Sequence, residues 1–93
     1  MRLEFKRAIG NSIKSYRLKR EIPQESLGPS QPYISNLEAG RGSASIDKIE
    51  QMADVLGVHP MSIIFAGYLT SNEDANKDQL FERIRIELAE IGI

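Results

Sequence analysis

Apolar side chains at Phe5, Ile9, Ile13 and Tyr16 recur every three or four residues with Lys, Arg, Asn and Ser between them, which predicts an amphipathic helix over the first twenty residues. Pro23 ends that run. The stretch IPQESLGPSQPYISNLEAG then holds three prolines and two glycines in nineteen residues, leaving room only for short helices joined by tight turns. One is QESL; the next has Ser30 as N-cap, tolerates Pro32 in its first turn, runs through Leu37 or Glu38 and stops at Gly40. Ser45 caps a further helix whose stripe is Ile46, Ile49, Met52, Ala53 and Leu56, ending at Gly57. His59 as cap, followed by Pro60, opens a short helix containing Ile63, Ile64, Phe65 and Tyr68. The polar run TSNEDANKD reads as a linker, and QLFERIRIELAEIGI as a last helix with Leu80, Phe81, Ile84, Leu88 and Ile91 on one face, close to a heptad seam. No strand-like alternation persists, so the fold class is all-α.

Composition narrows the class without naming a task. With 93 residues, 41% apolar and 27% charged, the chain has room for one hydrophobic core. It has no cysteine, which excludes disulfides and thiolate zinc sites. No apolar run reaches the roughly 20 residues that span a bilayer, and the first ten residues do not present a signal-peptide core, so the expected location is cytoplasmic, with no membrane partner. The net charge of −1 is unevenly spread: residues 1–42 carry eight Lys/Arg (Arg2, Lys6, Arg7, Lys14, Arg17, Lys19, Arg20, Arg41) against four Glu, and residues 43–93 carry four against nine acids. Such polarity fits a module that offers one face to phosphates, or simply solvated faces of differing composition.

Two short helices joined by a glycine-containing turn, preceded by one helix and followed by two, make a helix-turn-helix pattern. From Ile9 to about Leu69 the chain resembles the lambda-repressor and Cro-like (XRE-type) helix-turn-helix family of bacterial regulators. IGNSIKSYRLKREIPQESL is similar to that family's first helix and the start of its second, GPSQPYISNLEAGR to its turn and recognition helix, and SIDKIEQMADVLGVHPMSIIF to its fourth and fifth helices. Arg17, Gln24, the string YISNLEAGR and the stop at Val55 to Val58 are distinctive in this order and spacing. The expected architecture is a five-helix domain over residues 1–70 with a shortened second helix, followed by a linker and a C-terminal dimerisation helix over residues 71–93.

The resemblance implies that the helix capped by Ser30 lies in the major groove of double-stranded DNA. Gln31 suits a base-reading role because a primary amide donates and accepts at once, matching the N6/N7 edge of adenine. Ser35 and Asn36 lie further along the same helix, and Tyr33 faces a thymine methyl or the backbone. Gln24 is implied to bind phosphate and brace the recognition helix, and Arg41, with the amides around Gly40 and Gly42, to contact phosphate. Lys14 and Lys19 add weaker attraction or only solubility. Arg17 and Glu38 are implied to form a partly buried ion pair tying the first helix to the third, with Ile34 and Leu37 facing the core.

The chain departs from the family in one place: about four residues usually found between Leu27 and Gly28 are missing, and QESL runs straight into GPS. Losing four residues shortens a helix by about 6 Å and nearly keeps its rotational phase. Gln24 is therefore expected to face its usual direction from a different height. Pro32 also stands where other members carry a polar residue.

Catalysis finds no support in the residues. His59 alone offers too few ligands for a metal, no Ser/His/Asp spacing assembles a nucleophile with its base, Glu73, Asp74 and Asp78 read as linker and first-turn acids, and GRGS at 40–43 follows no strand. No cofactor, metal or small-molecule site is implied. The expected activity is a regulator, a repressor more than an activator, that binds a palindromic operator as a homodimer through Leu80, Phe81, Ile84, Leu88 and Ile91. The rival expectation is a helix-turn-helix relic that binds a partner protein or antagonist and no DNA, which the acidic pI of 5.8 and the missing turn favour.

Overall fold

A computed structural model describes residues 3–93; Met1 and Arg2, the latter counted in the basic half, lie outside the described residues. Among the described residues five α-helices follow one another: α1 (Leu3–Lys19), α2 (Gln31–Glu38), α3 (Ile46–Leu56), α4 (Pro60–Ser71) and α5 (Lys77–Glu90). A single 3-10 turn, Gln24–Ser26, stands between α1 and α2 and is all that remains of the shortened second helix. Among the described residues there is no strand.

Each start has a chemical reason. The Ser30 and Ser45 hydroxyls accept from the Tyr33 and Lys48 amides, and His59 Nδ1 accepts from the Met61 amide at 3.0 Å, so orphan donors of three first turns find partners. Gly57 ends α3 in the left-handed region at φ 71°, where a side chain would be strained. Arg20 completes that end by donating to the Leu56 carbonyl at 2.8 Å, a pairing of 36 residues' separation that local pattern does not reveal.

The core is one cluster: Ile9 and Ile13 from α1, Leu27 from the turn region, Ile34 and Leu37 from α2, Ile49, Met52, Ala53 and Leu56 from α3, and Ile63 from α4. Two glycines let the helices close on it. A Cβ on Gly10 would stand 2.0 Å from the Leu37 carbonyl oxygen, and one on Gly67 would stand 2.8 Å from Ile9, so α1 meets both α2 and α4 at backbone distance. α4 is apolar nearly all round because it is used all round: Ile63 and Gly67 face the core, Tyr68 meets Phe5 edge-on at 5.7 Å, and Phe65 meets Phe81 of α5 at 5.7 Å.

The polar run expected as a nine-residue linker is one over residues 72–76, while its two ends belong to the flanking helices. At the end of α4, Ser71 and Asn72 donate to the Tyr68 carbonyl, one of those its last turn leaves open, and Thr70 donates back to the Ala66 carbonyl. α5 starts at Lys77 because Asn76 caps it, accepting from the Gln79 amide at 3.0 Å. Only residues 72–76 connect the two helices. α5 buries none of its residues, and its contact with the rest runs through Phe81 and half-buried Leu80 and Ile84.

Candidate nucleic-acid interface

α2 is short, capped and pinned from behind. Ser30 with Pro32 in the first turn sets its start, and Gly40 at φ 82° lets the chain leave while the Arg41 amide returns to the Asn36 carbonyl at 2.9 Å. Ile34, Leu37 and Glu38 face inward and are buried. Gln31, Pro32 and Asn36 are exposed on the opposite side, with Tyr33 and Ser35 half-buried at its edges.

The pin is an ion pair. Arg17 Nε donates to Glu38 Oε2 at 2.7 Å and Arg17 Nη2 to Oε1 at 2.8 Å, a two-pronged contact with side chains only 11% and 3% exposed. Arg17 also donates to the Ile22 carbonyl at 3.1 Å, so one guanidinium ties α1 to α2 and to the loop between them. Burial drives the Glu38 carboxyl upward, but hydrogen bonds from Arg17 and Gln24 and the charges of Arg17 and Lys14 outweigh it and hold the group below its ordinary 4.5. The same bond to Glu38 raises the Arg17 pKa.

Gln24 stands on this pair. Its Nε2 donates to Glu38 Oε1 at 3.0 Å and its Oε1 accepts from Gln31 Nε2 at 2.6 Å. The missing turn after Leu27 therefore leaves Gln24 beside the first residue of α2. Two substitutions of space make this possible: Leu27 remains fully buried, and Gly28, at φ 107°, leaves the room a side chain would take to Gln51, whose amide lies 2.7 Å from the position of an added Cβ.

At the other end of α2, Arg41 Nε donates to Asn36 Oδ1 at 3.0 Å, and Arg41 itself is exposed. The stem of Arg7 lies against Gly40, bringing a second exposed cation from α1 to this end. Lys48 reaches over the Tyr33 ring at 5.9 Å, and burial pushes the Tyr33 phenol pKa up. Sequence reading missed the placement of Arg7 and Lys48. A glycine at 40 hints that something approaches it, but nothing in the local pattern says which side chain. Ser30 is exposed and caps α2 by accepting from the Tyr33 amide, Lys14 and Lys19 are exposed on α1, and the seam residues of α5 belong to a separate surface. Among the described residues no three His, Asp or Glu side chains gather as metal ligands, and no single helix is long and apolar enough to cross a membrane.

A capped short helix with one polar face outward, braced by the turn before it and locked at its back to α1, defines the helix-turn-helix class of DNA-binding transcriptional regulators, which is not an enzyme class. The helix-turn-helix family model matches residues 13–62, just over half of the 93, and the chain belongs to that XRE-type family. It is 26% identical over 66 residues to an uncharacterized helix-turn-helix-type transcriptional regulator, y4dJ, of Sinorhizobium fredii, a match covering 67% of this chain and 86% of the relative. Its fold is similar to the crystal structure of the clp gene regulator ClgR from C. glutamicum, with TM-score 0.64 and 22% identity over 69% of this chain and 88% of that one.

Proposed function

We propose that this regulator is a repressor that binds a palindromic operator as a homodimer in the bacterial cytoplasm, with α2 in the major groove. The observation that carries the reading is the exposed face of α2, with Gln31 and Asn36 outward on a helix whose back is locked to the core. Gln31 reads a base edge, with Ser35, Asn36 and Tyr33 beside it. Gln24, Ser30 and Arg41 line the phosphate track, and Arg7 joins Arg41 there. Residues 1–70 form the DNA-binding part and residues 71–93 the linker and dimerisation helix.

The dimer reading rests on α5. A solvated helix of 14 residues is marginal by itself, and its surface ion pairs, Arg83 with Glu87 and Arg85 with Glu82, are exposed and screened. Its apolar seam remains open at Phe81 (45% exposed), Leu88 (40%) and Ile91 (72%). A second copy of α5 laid along it buries that face, and a two-fold dimer on a palindromic operator holds its two copies of α2 about one helical turn of DNA apart, roughly 34–36 Å.

Selection of bound duplexes from a random pool, followed by mobility shifts at rising salt, tests the reading. Expected are a two-fold symmetric site and affinity that falls steeply with salt. Gln31→Ala is expected to relax preference at one base position and cost about 1–3 kcal/mol, and Arg41→Ala to weaken all duplexes alike and lower the salt slope by about 1. Equal losses from both on every sequence would sink these roles. Absence of any salt-dependent duplex binding would favour the rival reading, a partner-binding module.

A further inference from the structure

We propose that the buried Arg17–Glu38 pair selects the base read by α2, by fixing the orientation of the two glutamine amides that lie between it and the solvent. This rests on the reading of α2 as the DNA-facing helix. An ionised carboxylate has lone pairs and no hydrogen, so it only accepts. Glu38 spends Oε2 on Arg17 Nε and shares Oε1 between Arg17 Nη2 and Gln24 Nε2. Gln24 is thereby compelled to turn its nitrogen inward, which leaves its Oε1 facing Gln31. That oxygen in turn only accepts, and Gln31 meets it with Nε2 at 2.6 Å. Turning either amide over would set two acceptors or two donors against each other.

The consequence appears at the outer end of the relay. Gln31 is exposed, and with one Nε2 hydrogen given to Gln24 it keeps its Oε1 and its second Nε2 hydrogen. One acceptor beside one donor complements the N6 donor and N7 acceptor of adenine; guanine offers two acceptors, N7 and O6, and leaves the Oε1 of Gln31 opposed. A pair held almost entirely out of water thus decides a base preference without touching DNA. Arg17 and Glu38 are positioning residues, and Gln24 is the link that transmits their polarity. A pair that served stability alone would leave the base preference unchanged when the link at Gln24 is cut.

The test compares duplexes that differ only at the base pair whose preference disappears in Gln31→Ala. The intact protein is expected to prefer adenine there by about ten-fold. Two variants cut the relay at different points: Arg17→Met with Glu38→Leu replaces the pair by apolar groups of similar size, and Gln24→Met removes the link. Each is expected to reduce the preference at that base to about two-fold while preferences elsewhere in the site persist. Overall affinity is not the readout, since Gln24 also faces the phosphates. Circular dichroism melting establishes that each variant is folded. A folded double variant that keeps the ten-fold preference overturns the proposal. If the double variant does not fold, Gln24→Met decides, and an unchanged preference in it is equally fatal. A wild-type preference for guanine at this position also overturns it and leaves the DNA-binding reading standing, whereas failure of the wild type to bind any duplex removes both.

Discussion

α1 and α5 are similar as sequences: 17 and 14 residues, each with an apolar side chain every three or four positions and charges between. Their fates differ. α1 buries Ala8, Ile9 and Ile13, meets α2 at backbone distance through Gly10 and α4 through Gly67 against Ile9, and holds the Glu38 carboxylate through Arg17. α5 buries nothing, touches α4 through one tilted aromatic pair and leaves Phe81, Leu88 and Ile91 open. The difference lies in contact residues. Small groups at the crossing points of α1 let neighbouring backbones approach, whereas the α5 seam is built of bulky side chains that are covered only by another surface of matching shape.

The comparison breaks most visibly at Glu38. Removing one member of a buried pair strands the other, so Glu38→Ala is expected to destabilise the fold by about 3–5 kcal/mol in urea unfolding; a loss no larger than that of a surface substitution would show that α1 and α2 do not depend on the pair. Next, Ile13→Ala, at a fully buried site of α1, is expected to cost about 2–5 kcal/mol, against about 0.5 kcal/mol or less for Leu88→Ala in dilute protein. If the Leu88→Ala cost grows with protein concentration, a second copy covers the seam.

Acid should act on the same contact. Since the Glu38 carboxyl is held below its ordinary 4.5 in the fold, its contribution is fully present above that pH and is lost as pH falls through the folded value. Melting temperature measured from pH 6 downward to about pH 2 is expected to decline, and to decline less in the Arg17→Met, Glu38→Leu double variant. The smallest effect on the fold is expected from Ile84→Asp with Leu88→Asp: the core of α1 to α4 keeps its cooperative melt, while sedimentation shifts from dimer to monomer. A folded variant that still sediments as a dimer would move the interface away from α5.

Much of this was legible in the residues. The helices, the caps at Ser30, Ser45 and His59, the inward face of Ile34 and Leu37 and the pairing of Arg17 with Glu38 all follow from spacing, local chemistry or family resemblance, and the structure contains each of them. The polar run before α5 reads as a linker because Thr, Ser, Asn and Asp suit loops, and residues 72–76 are one; its ends are helical because the same hydroxyls and amides return hydrogen bonds to helix termini.

What the chain determined by itself was therefore local: periodicity of 3.6, capping side chains, and glycines where the backbone turns left-handed, because these depend on atoms a few residues apart. Tertiary structure decided what lay further off. Gln24 remains beside Gln31 despite the missing turn because Leu27 stays in the core and Gln51 fills the space above Gly28. Arg7 and Lys48 come to the ends of α2, and Arg20 to the end of α3, because distant helices pack side by side. The rule behind both is distance along the chain: neighbours in sequence constrain one another directly, whereas a partner 36 residues away is chosen only when the core closes.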